Sequence, residues 1–399
     1  VSKKLSTSSA VYIGLASMLG AGVFVVFGPA ASFAGSLLPL AVLIAGFVAY
    51  LNAGSIAQLA AVVPRSGGAY SYARHYISPA VGFAAGAAFL IGKLGSVAAI
   101  ALTFATYLAP GFEVVVAVLG IIAMTLINIM GINRTALGAK ILASTTIGFL
   151  VLVMFTSLFA WSVFMPPAPG DGFGVLTAAS LFFFAFAGYA RVATLGGEVE
   201  DPTRNIPRAI AISLGIVLAI YLLLSVMLVK RLGTELAFTL TPLADISPLP
   251  GPFASVFAAV AALGSLLALI AGMSRTAATM AQDGELPALF ARLNSKGTPY
   301  LAEWAIALAA SALVLTESVA FVIGFSSFAV LTYYAIANWA GYVQPRGETK
   351  RPKFLNLLGL ALCLILLISV PLSALLAGSC VLALVLALRW GLAKLGRTS

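Results

Sequence analysis

The chain has 399 residues, of which 61% are hydrophobic and only 9% charged, with a formal net charge of +10 and a mean hydropathy of +1.09. So small a charged fraction cannot cover the surface of a water-soluble protein of this length, which excludes a soluble globular fold. A bilayer span needs about 20 mostly apolar residues to cross roughly 30 Å of hydrocarbon, and such stretches follow one another from end to end.

The opening Val1–Ser9 is short and polar, and the apolar segment behind it runs past Phe24 into Gly28 and Pro29 with no small-residue cleavage site. The first span is therefore expected to be retained. Apolar runs between punctuating residues predict about twelve helices in all. The first five are Val11–Phe33, Leu38–Val63, Pro79–Leu108, Val114–Ile132 and Leu137–Phe164. The next five are Phe173–Gly196, Pro207–Val229, Pro252–Met280, Leu301–Leu315 and Ser318–Val343. Phe354–Val370 and Leu372–Leu388 close a final hairpin at Pro371. Ser66–Ile77 and Gly284–Asn294 are polar connections expected to form short helices, and Lys230–Gly251 is long enough to hold a helix that acts as a lid.

Alternate connections differ sharply in charge. One set holds Lys3, Lys4, Arg65, Arg74, Arg134, Lys140, Arg204, Arg208, Arg292, Lys296, Arg346, Lys350, Arg351, Lys353, Arg389, Lys394 and Arg397, and the other only Lys230 and Arg231. The positive-inside rule then puts both termini in the cytoplasm, in a multi-pass protein of the cell membrane. Because the basic residues sit in short loops, the net charge points to the bilayer and not to nucleic acid. Cys363 and Cys380 lie in apolar runs and read as small hydrophobes. With His75 the only histidine, on a polar connection, no metal site, cofactor or histidine-based catalysis is expected. The absence of a triad candidate speaks against an enzyme, and the absence of a repeated filter or charged ring speaks against a channel.

The first span contains Met18-Leu19-Gly20-Ala21-Gly22-Val23-Phe24, and the sixth Phe182-Phe183-Phe184-Ala185-Phe186-Ala187-Gly188-Tyr189. Glycine at mid-membrane lowers the cost of leaving helical geometry, and irregular backbone at that depth is tolerated only where it lines a cavity or is buried in protein. Interrupted helices at matching places in two halves mark a transporter's binding site. Half-helix amino ends suit a carboxylate and half-helix carboxyl ends an ammonium, which together describe an α-amino acid. The alternative is that the glycines only let helices pack closely.

MLGAGVF (Met18–Phe24) resembles the first-span signature of the amino acid–polyamine–organocation superfamily, and FFFAFAGYARVATLGGEVEDPTRNIPRAI (Phe182–Ile210) its sixth span and following loop. PRSGGAYSYAR (Pro64–Arg74) and MAQDGELPALFARLNSKGTP (Met280–Pro299) are similar to its loops after spans two and eight. The resemblance covers spans one to ten. It implies an all-α integral membrane fold with a five-plus-five inverted-repeat core of the leucine-transporter type, discontinuous in helices 1 and 6, working by alternating access. The expected units are residues 1–165 (helices 1 to 5), 166–343 (helices 6 to 10) and 344–399 (helices 11 and 12 and the tail). It also implies that the substrate carboxylate meets the backbone of Ala21, Gly22 and Val23, and that its amino group meets carbonyls near Met18, Phe184 and Ala187, beside Gly188. Phe184 takes a gating role, and Ser265 a place near the family's sodium-like locus. For Glu198, with Glu200, Asp201, Arg204 and Arg208, the resemblance implies a network with the loop Arg65–Arg74 that closes the inner gate, the alternative being a solvated loop.

Two positions depart from the pattern. Where proton-coupled relatives carry a lysine in span five, this chain has Thr146, while Lys93 stands in the middle of span three, at a level that faces the pocket in relatives. A lysine at bilayer centre costs roughly 2.5–3.5 kcal/mol on insertion scales and is a functional hypothesis by default. Lys93 is thus assigned the coupled proton or the substrate carboxylate, the alternative being a structural lysine that caps carbonyls. Arg191 is expected to pair with Glu198, two helical turns along. With Ala190 where transporters of cationic amino acids have an acid, and Lys93 nearby, a neutral substrate is expected, an acidic one being the alternative. The expected activity is amino-acid symport with a proton, or with sodium; an amino-acid exchanger is the runner-up.

Overall fold

The computed structural model describes residues 6–19, 22–63, 67–159, 169–193, 199–316, 318–349 and 351–395. Every regular segment of any length is helical: α1 (Thr7–Leu19), α2 (Gly22–Val25), α3 (Phe27–Ala34), α4 (Leu38–Val62), α5 (Ala69–Tyr76), α6 (Pro79–Leu108), α7 (Glu113–Ile129), α8 (Ile132–Phe159) and α9 (Gly172–Phe186). After a 3-10 turn at Ala187–Tyr189 follow α10 (Ala190–Ala193), α11 (Pro202–Leu232), α12 (Pro242–Asp245), α13 (Gly251–Gln282), α14 (Tyr300–Val314), α15 (Val319–Val343), α16 (Lys353–Ile368) and α17 (Leu372–Leu395). Among the described residues, eight helical stretches are long and apolar enough to cross a bilayer, and four more apolar helices are shorter, Glu113–Ile129, Ser144–Ser157, Tyr300–Val314 and Lys353–Ile368. Large apolar side chains such as Phe47, Leu119, Phe155, Leu308 and Leu388 stand exposed along them. An apolar exterior of that kind suits hydrocarbon and not water. This is a multi-pass membrane protein.

Local chemistry sets the helix starts. Ser78 Oγ accepts the Val81 N–H at 3.3 Å and Pro79 fills the first turn of α6. Asp171 Oδ1 accepts the Gly174 N–H at 2.6 Å at the head of α9, and Ser318 Oγ the Phe321 N–H at 3.2 Å at the head of α15. Such side-chain acceptors satisfy amides that the first turn leaves free. The boundary between the fourth and fifth spans falls at Met130 and Gly131, a few residues before the sequence expectation, because Gly131 turns the chain with φ +110°. The connection after α5's neighbour α4 forms a helix as expected, but Gly284–Asn294 holds only a 3-10 turn at Ala288–Ala291. The stretch after α11 holds a 3-10 turn at Gly233–Ala237 and α12, and it lies close against α3: a Cβ at Gly28 would collide with the Thr239 carbonyl.

Burial orders the helices. In α6 83% of the apolar window is buried inside the protein, and in α17 only 11%, so α6 is central and α17 faces outward. Helix α6 packs along α15 and α13; α4 packs on α9 and α11; α1 lies on α11 and α3 on α9. A buried polar knot ties α4, α15 and α16. Asn338 Nδ2 donates to Asn52 Oδ1 at 2.6 Å, and Ser55 Oγ lies 2.6 Å from Asn338 Oδ1 and 2.8 Å from Asn356 Oδ1. In a medium without water, such side chains find partners on neighbouring helices.

A second clamp sits at the helix ends, where Glu285 receives Arg74 of α5 at 2.6 Å and Arg389 of α17 at 2.8 Å. Arg389 also lies over the Phe83 ring, 5.0 Å from its centre, and Tyr70 donates to Asp283 at 2.8 Å. Burial raises the Glu285 pKa, but the hydrogen bonds and charges of Arg389 and Arg74 outweigh it and hold the carboxyl below its ordinary value of 4.5. A carboxyl depressed in the folded state stabilises the fold above its unfolded pKa, and that contribution fades as pH falls through the folded value. The melting temperature of purified protein should therefore exceed that of Glu285→Gln at neutral pH, and the gap should narrow on acidification below 4.5. A gap that stays constant or widens in acid contradicts the clamp.

Candidate substrate site

The described part of the first span is α1, which reaches Leu19, then α2 and α3 with a bend between them at Val26. In the sixth span the α-helix gives way at Ala187 to the 3-10 turn, in which Ala187 donates its N–H to the Phe184 carbonyl and Ala190 to that of Gly188. The two segments cross where their glycines lie. A Cβ at Gly22 would collide with Ala185, and one at Gly188 with the Ser17 carbonyl. Close helix approach is thus one role these glycines fill directly. Gly92 and Gly95, on either side of Lys93, serve likewise, since a Cβ on either would press on α15 at Val330 or at the Val322 carbonyl.

Carbonyls that the 3-10 tightening and the helix end leave without helical partners are met by side chains from other helices. Tyr221 of α11 donates to the Met18 carbonyl at 2.5 Å and lies 3.3 Å from that of Ala185. The Ala187 carbonyl accepts from Tyr334 of α15 at 3.3 Å and from Lys93 Nζ at 3.4 Å. Tyr334 is locked by its neighbours, with ring centres 5.1 Å from Tyr189 and 5.5 Å from Phe183. Sequence reasoning passed over Tyr221 and Tyr334, because a tyrosine in an apolar run reads as core. Their signal is only that a buried tyrosine hydroxyl needs a partner.

Beside this crossing lies a cavity of about 50 Å³, above the roughly 10–15 Å³ needed to admit a water. Its wall joins Ser17 of α1, Phe89 and Lys93 of α6, Ala187 and Gly188 of the 3-10 turn, and Ser265 with Met273 of α13. Four of the sequence-predicted residues therefore share one cavity: Lys93, Ala187, Gly188 and Ser265. Lys93 is 6% exposed and is the one charged side chain among the described lining residues. Ser265 Oγ is buried with no hydrogen-bond partner among the described residues. The cavity thus offers a cation, weakly held at 3.4 Å by the Ala187 carbonyl, and a free hydroxyl, against apolar walls.

Other predicted residues lie elsewhere. Phe184, on α9, is buried beside the crossing but does not line the cavity, and its carbonyl is taken by Ala187. Met18 has its carbonyl taken by Tyr221. Gly22 and Val23 are buried in α2. Thr146 is buried in α8, which packs on α13 and α1, away from the described lining. Ala21, Arg65 and Glu198 lie outside the described residues, as does the side chain of Arg191. Of the charged cluster after span six, Asp201 starts α11 in the left-handed region with φ 41° and accepts from Thr203 at 3.0 Å.

A family model described as amino acid permease matches residues 5–387. The chain belongs to the amino acid permease family. An uncharacterized transporter of Mycobacterium tuberculosis is 42% identical to this permease over an alignment of 393 residues that covers 95% of this chain and 89% of the relative. The vacuolar cationic amino acid transporter 4 of Arabidopsis thaliana is 29% identical over 359 residues, 80% of this chain and 59% of its own. The chloroplastic cationic amino acid transporter 7 of the same plant is 26% identical over 381 residues, 84% and 65%. Membership agrees with the superfamily resemblance carried by the motifs, and it makes the permease a transporter of amino acids and not an enzyme.

The crossing of the two glycine segments can be tested directly. Gly188→Val should abolish amino-acid uptake, because its side chain would collide with the Ser17 carbonyl, while Gly215→Ala on α11, with open space around it, should leave uptake intact. Equal uptake by both variants contradicts the close crossing.

Proposed function

We propose that this permease is a secondary transporter that takes up neutral amino acids together with protons by alternating access. The observation that carries this reading is the single lysine in the wall of the cavity, Lys93, set opposite a carbonyl and an unpartnered hydroxyl. A zwitterion matches that set: its carboxylate draws the Lys93 ammonium off the Ala187 carbonyl, which is then open to its amino group. Pairing with a carboxylate also relieves the cost of an ammonium held in hydrocarbon. A second positive charge on the substrate would sit against Lys93 and be rejected.

Around this site we infer about twelve spans, arranged as two inverted repeats, residues 1–165 and 166–343, with 344–399 as a terminal pair, both termini being cytoplasmic in the cell membrane. Phe184, with Arg65 and Glu198, is proposed to gate the site. Thr146 and Ser265 are proposed as the coupling locus for sodium, the alternative driving ion, through their hydroxyl oxygens. The names of the Arabidopsis relatives, cationic amino acid transporters, favour a second reading in which the substrate is cationic.

Purified protein in proteoliposomes should take up labelled L-alanine faster under an inward proton gradient than without one. Unlabelled L-serine should compete better than L-arginine. Loss of a hydrogen bond to a charged group is worth about 1.5–3 kcal/mol, so Lys93→Met should raise KM for L-alanine about ten- to hundredfold. L-arginine competing as strongly as L-serine supports the cationic substrate, and uptake indifferent to the gradient supports exchange.

A further inference from the structure

Glu303 is a second ionisable side chain held in the helical interior, and the site described above makes no use of it. It lies in the first turn of α14 and is 1% exposed. Its Oε1 is 3.1 Å from Ser274 Oγ on α13, and its Oε2 has no hydrogen-bond partner among the described residues. Helix α14 packs against α6, α7, α13 and the 3-10 turn Ala288–Ala291. The titratable side chains on those elements are Lys93 and Tyr107, Glu113, and Arg275. Lys93 lines the cavity, Tyr107 reaches the Phe24 carbonyl, and Glu113 accepts the Gly111 N–H at the far start of α7. Arg275, half-buried next to Ser274, lies close enough to act on Glu303 through its charge, yet makes no ion pair with it.

An ionised carboxylate buried with one neutral donor and no paired cation is poorly satisfied. The neutral acid fits the same three groups. Ser274 Oγ lies 3.1 Å from the Ala271 carbonyl as well as 3.1 Å from Glu303. With one proton, that hydroxyl serves either the carbonyl or the carboxylate, not both. When Glu303 is protonated it donates to Ser274, which donates to Ala271; when Glu303 is ionised, the Ser274 hydroxyl turns to it. The amino end of α14 and the charge of Arg275 both favour the anion against burial. A rotation of one hydroxyl thus reports the protonation of Glu303 to α13. Two residues flanking Ser274 on that helix, Met273 and Thr276, form part of the cavity wall.

We propose that Glu303 is where the coupled proton binds, and that Ser274 passes its occupancy to the cavity wall through α13. This rests on the reading of the permease as a proton-coupled amino-acid transporter. The step makes and breaks one O–H bond, with a proton taken from water on one side and released to water on the other; nothing is oxidised or reduced.

The test uses the full chain in proteoliposomes with labelled L-alanine, read both as accumulation driven by an inward proton gradient and as counterflow at equal pH. Glu303→Gln, a neutral mimic of the acid, should lose proton-driven accumulation and keep counterflow. Ser274→Ala, which removes the relaying hydroxyl, should weaken proton-driven accumulation and keep counterflow; unchanged accumulation overturns the relay. If Glu303→Gln accumulates L-alanine like the parent protein, Glu303 does not carry the proton. Should Glu303→Gln lose counterflow as well, Glu303→Asp decides: a proton response with a displaced pH midpoint supports the assignment, and an unchanged profile overturns it. A parent protein that shows counterflow without any proton response overturns the coupling reading and this proposal together, whereas unaffected Glu303→Gln in a proton-responsive parent overturns the proposal alone.

Discussion

Peptide groups inside a bilayer have no water to turn to, so any departure from helical hydrogen bonding must be answered by the protein itself. In this permease the answer comes from side chains on other helices. Tyr221 reaches the Met18 and Ala185 carbonyls from α11, and Tyr334 and Lys93 reach the Ala187 carbonyl from α15 and α6. Three helices thus converge on the crossing of the first and sixth spans, and the cavity lies beside it. Because the glycines let backbones meet, the same residues that tighten the crossing also bring carbonyls to its edge.

That arrangement explains why the most buried helix carries a lysine. Helix α6 runs between α15 and α13, and Lys93 projects from it to the cavity and the Ala187 carbonyl. An ammonium there binds a carbonyl weakly, at 3.4 Å, and is left with donors to spare for an anionic group. Glu303 presents the complementary case on the far side of α13, an acceptor with one oxygen unanswered. Positive and negative ionisable groups held on two faces of one helix wall suit a protein whose substrate and driving ion must be read together.

The helices were legible in the sequence because hydrocarbon permits so few alternatives. Pro79–Leu108 is recovered to the residue, since Ser78 and Pro79 open it and Pro110 follows its end. Residues of motif and depth also meet in space: Lys93, Ala187, Gly188 and Ser265 come from three separate spans and line one cavity. What could not be read was which atoms satisfy which. Tyr221 and Tyr334 look like core aromatics until the carbonyls opposite them are seen. Gly92 and Gly95, on either side of Lys93, are seats for α15. Gly284–Asn294 has helical composition but packs as an ion clamp through Glu285, with only a short 3-10 turn. Glu303 escaped notice because a glutamate just past a loop is ordinarily solvated, and only tertiary packing shows it buried.

The most direct measurement is a ligand-bound structure of the permease with L-alanine, compared with one without it. The account predicts new density between Lys93 Nζ, the Ala187 and Gly188 backbone and Ser265 Oγ, with its carboxylate end toward the lysine. Density that lies elsewhere while this hollow keeps the same contents in both structures would contradict it.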